Sequence, residues 1–281
     1  IYYTWTPNWT VGALVPGTDV VWVDTPTDNP AMIVPGVEGC VSDPCAMGFV
    51  PADIRITANK EFVAYNPVVA AVMENFTVSL ADMGAQNMKM FDGEDSQEDI
   101  ERHALEWIAN NRAMVNSWVA AATAAPTASD TPGEGITLSP VKPTWDTEWF
   151  QLEVLLQVLK ELGYATNTPE AITNDAAFLS IATGDVDFWA SSWFPLHDTY
   201  IENAKVGPYV ENVGYVAIAG GMEGFLINKS AFDDLGVDNL GDLADPEVAA
   251  LFDFDGDGMA DLYGCPPGWG CELKIEAMLD E

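Results

Sequence analysis

The stretch NDAAFLSIATGDVDFWASSWFPLHD, Asn174 to Asp198, decides the fold. Its first part, NDAAFLSIATG, reads as a helix that ends at Gly184. VDFWA, Val186 to Ala190, is a short apolar run of strand type. SSWFPLHD then follows as the loop after that strand. Upstream, Phe150, Val154, Leu155, Val158 and Leu162 recur at helical spacing, and Gly163 suits the cap of that amphipathic helix. Downstream, VGYVAIAG, Val213 to Gly220, reads as a second buried strand. Strands that alternate with helices predict an α/β fold with a mainly parallel sheet. Ligands of such sheets bind beyond the carboxyl ends of the strands, which is where SSWFPLHD falls.

The stretch ATAAPTASDTPGEG, Ala122 to Gly135, is rich in Ala, Pro, Thr and Gly without apolar periodicity. It reads as a flexible linker between two segments that share no repeat. In the segment before it, DVVWV (Asp19 to Val23) is a strand and NPVVAAVMENF starts a helix with Pro67 in its first turn. Ser96 with Asp99 is a capping pair, and Ile100, Ala104, Ile108, Val115 and Val119 follow at mostly helical spacing. Trp107 and Trp118 lie in or beside that stripe and are expected in the core.

The 281 residues carry a net charge of −34, from 44 acidic and 10 basic side chains. A polyanion would be repelled, which argues against nucleic acid and anionic membranes as partners. No apolar run reaches the length of a membrane span. Ile1 begins IYYTWTPNW, neither a start methionine nor a signal peptide, so a removed leader or a cropped chain is expected. The four cysteines form two close pairs, Cys40 with Cys45 and Cys265 with Cys271. Neither pair is a CxxC, and His103 and His197 lie in other motifs, so a zinc site is weakly supported. Two short disulfides and an oxidising compartment are expected, with free thiols as the alternative.

Three motifs place a Trp beside Pro or Gly in stiff loops: YYTWTPNW (Tyr2 to Trp9), SSWFPLHD and GCPPGWGCE (Gly264 to Glu272). Together they resemble the motifs of the periplasmic glycine-betaine/proline-betaine-binding proteins of ABC transporters. GITLSPVKPTWDTEWFQLEVLLQVLKELGY resembles that family's mature N-terminus. ANKEFVAYNPVVAAVMENF and FDGEDSQEDIERHALEWI resemble its C-terminal part. The resemblance covers nearly the whole chain, but in circularly permuted order, and a few dozen residues that join GWGCE to YYTW in the family are absent. A permutant and a window across two tandem domains both fit.

The resemblance implies a two-lobed periplasmic-binding-protein (type II) fold with a ligand cleft between the lobes. One lobe would be residues 55–228, with the linker inside it. The other would be residues 1–54 plus 229–281, less complete. It implies a binding protein and not an enzyme, located in the periplasm or outside the cell, with membrane tethering left open. Its partners would be a quaternary-ammonium zwitterion and the membrane subunits of a transporter. Trp5, Trp193 and Trp269 would wall an aromatic cage, since ring faces attract an onium group that water holds weakly. A Cys265–Cys271 clamp would orient Trp269. His197, four residues after Trp193, would offer a ring N–H to the carboxylate, and the backbone at Trp269 and Gly270 would supply the rest. Trp9, Tyr3, Trp145 and Trp149 are secondary candidates, more in keeping with structural roles.

DFDGDGMAD places Asp253, Asp255, Asp257 and Asp261 at positions 1, 3, 5 and 9 of an EF-hand-like loop, a candidate structural calcium site. Position 12 is Gly264, so the bidentate glutamate is lacking. No P-loop, HExxH, GxSxG or GxGxxG after a strand occurs, which argues against the common enzyme classes. A Trp-platform carbohydrate-binding protein or glycoside hydrolase is the competing reading, and a purely structural extracellular module is the third.

Overall fold

The computed structural model describes residues 1–124 and 131–280. The chain divides into two compact units, one of Ile1–Ala52 with Ala219–Glu281 and one of Asp53–Ile218. The sequence reading set the boundaries at 54/55 and 228/229. No break in apolar pattern marks the second crossing, because one strand, Val210–Asn228, runs straight through it.

Seven strands carry or brace the aromatic motifs. They are β1 (Tyr2–Thr6), β2 (Val20–Val23), β3 (Ala52–Asn59), β4 (Pro140–Pro143), β5 (Glu170–Ile172), β6 (Phe188–Phe194) and β7 (Val210–Asn228). In the 53–218 unit the order is β7–β3–β6–β4–β5. There β4 runs parallel to β6 and β5, whereas β6 is antiparallel to β3. In the other unit β1 and β2 both pair antiparallel with the second half of β7. The expected parallel pairing is found around β4 and between residues 137–138 and 165–166, and the fold as a whole is mixed α/β. Crossover helices impose parallel pairing only where they connect successive strands.

Those crossovers are α5 (Trp149–Glu161), between β4 and β5, and α6 (Asn174–Thr183), between β5 and β6. Before them come α1 (Pro67–Asn75), α2 (Leu80–Phe91), α3 (Gln97–Asn110) and α4 (Arg112–Thr123). Ser96 caps α3, its hydroxyl accepting the Asp99 N–H at 3.1 Å. The apolar stripe from Ile100 to Val119 is two helices, broken at Asn111, whose amide bonds back to the Trp107 carbonyl. Trp107 and Trp118 are buried and stack on each other at 6.2 Å.

Helix α5 forms where the apolar spacing predicts it but is buried on more than one face. Every residue from Phe150 to Leu159 is buried, with α1, α2 and α3 packed against it. A helix buried all round must satisfy its polar side chains internally. Gln97 and Gln157 do this by donating to the two oxygens of Glu153, at 3.0 and 2.6 Å. Among the described residues no single helix is long and apolar enough to cross a membrane.

The expected linker, 122–135, is structured at both ends. Ala122 and Thr123 finish α4, and the Gly133 amide bonds to the Leu162 carbonyl. Residues 125–130 lie outside the described residues.

Candidate functional site

The SSWFPLHD motif does not simply follow a strand. Ser191 to Phe194 continue β6, with Ser192, Trp193 and Phe194 paired opposite Arg55, Ile54 and Asp53 of β3, and the Thr57 hydroxyl donating to that of Ser192 at 2.8 Å. Paired serines read as punctuation in a sequence, yet here they are buried in the sheet. The chain then turns through a cis Phe194–Pro195 bond. The His197 N–H returns to the Trp193 carbonyl at 2.8 Å.

His197 is 1% exposed. Its Nδ1 accepts the backbone N–H of Trp193 at 3.0 Å, so in the neutral ring the proton must sit on Nε2. The Asn174 amide lies 3.1 Å from Nε2. That amide therefore presents its oxygen to the Nε2–H, which also gives the otherwise unpartnered Asn174 Oδ1 its bond. The ring stacks on Trp189 at 5.3 Å and meets Phe178 and Tyr200 edge-on, each at 5.7 Å. Burial lowers the His197 pKa to about 3, so the ring stays neutral. Both nitrogens are thus engaged within the unit. Trp193 is buried, with its Nε1 unpartnered among the described residues.

In the other unit, Trp5 projects from β1 and meets Trp269 edge-to-face, ring centroids 5.5 Å apart. Both indoles are half-buried. Trp269 sits in the loop closed by the Cys265–Cys271 disulfide, whose Cα atoms lie 5.8 Å apart. The loop leads into α7 (Gly270–Asp280). Gly270 is buried and opens that helix, so its N–H is one of the four for which the helix offers no carbonyl. Cys40 and Cys45 are also bonded, and no cysteine is free among the described residues. Free-thiol and zinc readings of either pair therefore fall. The structure brings Trp5 to Trp269 in one unit and Trp193 to His197 in the other.

The secondary aromatics have packing partners. Trp145 meets Trp189 at 5.8 Å. Trp149 donates its indole N–H to the Pro143 carbonyl and carries the Lys142 ammonium over its face at 3.6 Å. Tyr3 is buried against Phe49 and Phe225. Trp9 is half-buried just before a short helical turn.

The aspartate loop gathers carboxylates of Asp253, Asp255 and Asp261 within 4.8 Å of one another. Its own backbone takes them up. Asp253 accepts the amides of Gly256, Asp257 and Gly258, and Asp261 accepts that of Phe254. Asp257 accepts the Met259 amide instead of joining the cluster.

The family model described as the substrate binding domain of ABC-type glycine betaine transport systems (OpuAC) matches residues 1–110 and 136–281. The chain belongs to that family. It is 42% identical over 152 residues to the glycine betaine/proline betaine-binding periplasmic protein of Escherichia coli K12, covering 54% of this chain and 46% of that one. It is 40% identical over 153 residues to the Salmonella typhimurium protein of the same name, with 54% and 46% covered. Against the glycine betaine-binding periplasmic protein OusX of Dickeya dadantii the figures are 40% over 148 residues, with 53% and 44% covered. The chain spans about half the length of the curated relatives it matches. OpuAC proteins are substrate-binding components of transport systems and not a family of enzymes.

Beside these OpuAC motifs, the sequence reading missed three buried polar residues: Asn174, Glu148 and Glu223. The available signal for Glu148 was its place, with Asp146, between two tryptophans in TWDTEWF, and for Glu223 a lone acid in the apolar run AIAGGMEGFLIN. Glu148 is wholly buried just before α5. Its Oε2 accepts from Gln151 at 3.0 Å and its Oε1 is unpartnered among the described residues. Burial pushes its carboxyl up to about 8, and the nearby Ser191 hydroxyl and the Gln151 amide offset this only in part. With a folded pKa above the ordinary 4.5, the neutral form stabilises the fold, and that contribution is lost as pH rises through about 8. Glu148→Gln should therefore gain on the native protein by on the order of 3 kcal/mol between about pH 5 and pH 8. Urea unfolding at the two pH values measures this; a constant difference would show that Glu148 is already ionised.

Proposed function

We propose that this chain captures glycine betaine, or a related quaternary-ammonium zwitterion, in the periplasm and delivers it to the membrane subunits of an ABC transporter. The observation that carries the reading is the Trp5–Trp269 pair, two half-buried indoles on rigid supports inside an OpuAC chain. A quaternary ammonium donates no hydrogen bonds, so a site selects it with aromatic faces, each desolvated contact contributing about 2 kcal/mol. Trp5 and Trp269 supply aromatic faces in one unit, and Trp193 is the candidate face in the other.

The carboxylate takes donors from the Gly270 end of α7, where the helix dipole also favours an anion, and from the Trp269 backbone. For His197 the engaged ring shapes the proposal. It serves first to hold the Trp193 backbone, and its Nε2–H turns to a carboxylate only by exchange with Asn174.

The order of the halves is also part of the reading. The family match is interrupted between residues 110 and 136, a stretch that holds helix α4 and the expected linker, 122–135. That fits a permuted arrangement in which the family's C-terminal half comes first.

Calorimetry with glycine betaine, choline and an oligosaccharide series tests the function. Glycine betaine should bind and raise the melting temperature, by about 2.7 kcal/mol of stabilisation at a hundredfold excess over Kd. Choline, which lacks the carboxylate, should bind more weakly. Heat from the oligosaccharides alone would establish the carbohydrate reading instead. No heat and no thermal shift from any solute would favour a structural module.

A further inference from the structure

Across the β1–β7 pairing from Trp5 lies a buried carboxyl to which the onium site assigns no role. In the antiparallel register of β1 and β7, Trp5 stands directly opposite Glu223, and Tyr3 opposite Phe225. Residues opposite one another share a face of the sheet, and diagonal neighbours reach each other across it. Tyr3 makes that diagonal contact, its hydroxyl donating to Glu223 Oε1 at 2.5 Å. Glu223 is 3% exposed, and its Oε2 has no partner among the described residues. The indole nitrogen of Trp5 is likewise buried and unpartnered.

A buried carboxyl with one oxygen held and the other unsatisfied is costly to ionise unless a positive charge arrives. Burial pushes Glu223 up to about 7, and the Tyr3 hydrogen bond, which steadies the anion, opposes this weakly. In the same contact the Tyr3 hydroxyl is driven well above its ordinary value, by burial first and by Glu223 second, so it remains a donor. Tyr3 is the titratable group that meets Glu223 among the described residues. Phe49 and Phe225, packed on Tyr3, carry no charge, and neither does Trp5.

We propose that Glu223, oriented by Tyr3, is a charge-selecting residue of the onium site, placing a carboxylate across the β1–β7 pairing from Trp5 when a cation occupies the Trp5–Trp269 faces. The inference rests on the onium reading and adds a residue and a pH dependence to it. Ring quadrupoles alone attract any soft cation irrespective of pH. A carboxylate across the pairing from Trp5 adds attraction only when ionised, so capture of the cation and release of the Glu223 proton are linked.

The two pH dependences have opposite signs. Without ligand, the folded pKa lies above the ordinary 4.5, so the neutral form stabilises the fold, and this contribution is lost as pH rises through about 7. Affinity for the cation runs the other way and is fully present only above about 7. A side chain with a merely structural role would produce the first trend without the second.

The test is calorimetry of the full chain with glycine betaine and with choline, which has no carboxyl, between about pH 8 and pH 5. Native affinity for both ligands should weaken about tenfold across that range. Glu223→Gln should bind with a flat profile. It folds because the amide replaces the neutral carboxyl and still accepts from Tyr3. Tyr3→Phe should move the midpoint of the native profile to higher pH, since the bond that steadies the anion is gone. Glu148→Gln, which removes the other buried carboxyl titrating in this range, should leave the slope intact. A Glu223→Gln profile as steep as the native one would overturn the assignment, and so would a native profile without slope. Absence of binding by either ligand at every pH would overturn the onium reading itself, and this inference with it.

Discussion

Measured against a His197→Gln variant, the ligand-free native protein is expected to lose about 4 kcal/mol of stability as pH falls from 6.5 to 3. The sign follows from the depressed pKa. The unfolded chain takes up a proton near 6.5, whereas the folded ring, sealed among Trp189, Phe178 and Tyr200, resists it down to about 3. The contribution of a neutral buried histidine is therefore complete above 6.5 and disappears below it. Glutamine keeps both hydrogen bonds in kind, an oxygen for the Trp193 N–H and an N–H for Asn174, without a titratable ring. The comparison with a variant is essential because Glu148 and Glu223, with raised pKa values, stabilise the fold in the same acid range and mask the trend in the native protein. Urea unfolding of both proteins at a series of pH values reads the difference. Two parallel curves would mean that the ring titrates freely and that the seal around it is not what the packing indicates.

The second large effect is on binding. Trp269→Ala should weaken glycine betaine by about thirtyfold, the loss of one desolvated onium–ring contact of about 2 kcal/mol. Trp269→Phe should recover part of it, since a smaller ring keeps the face but a weaker quadrupole. Replacing Cys265 and Cys271 by serine separates orientation from contact. The indole is still present, but ordering it on binding costs roughly 1 kcal/mol, so the double variant should lose several-fold in affinity and less than the alanine variant. Opening so short a loop also removes about 2 kcal/mol of stability by the chain-entropy estimate, which thermal unfolding would register. Equal affinity for glycine betaine in Trp269→Ala and in the native protein would remove this indole from the site.

How far these residues were legible depends on how local their signal is. Trp5, Trp193 and Trp269 announce themselves because each lies within two residues of a proline or glycine that stiffens the backbone. Helix starts at Pro67 and Ser96 are equally local, set by a ring that fixes φ and by a side-chain cap. The extent of β6 was not legible, because the end of that strand is set by pairing with Asp53 to Arg55, more than a hundred residues away. Nor was the state of His197. The motif placed the histidine near its tryptophan, but only Asn174 and the backbone of Trp193 show which nitrogen holds the proton. Glu148 and Glu223 are the extreme case. An acid amid apolar and aromatic letters reads as readily as a solvated turn, and only the fold shows that the chain closes over it.

Refolding order follows from how β1 and β2 find their partner. Each pairs with the segment from Met222 to Asn228, two hundred or more positions away in sequence. Contacts so distant form slowly, and unpaired edges invite association in the meantime. Residues 53–218, contiguous in the chain, can complete their own core during that interval. A chain diluted from denaturant would then hold a finished middle while β1 and β2 still lack a partner, and those two strands are the part that a holding chaperone would protect.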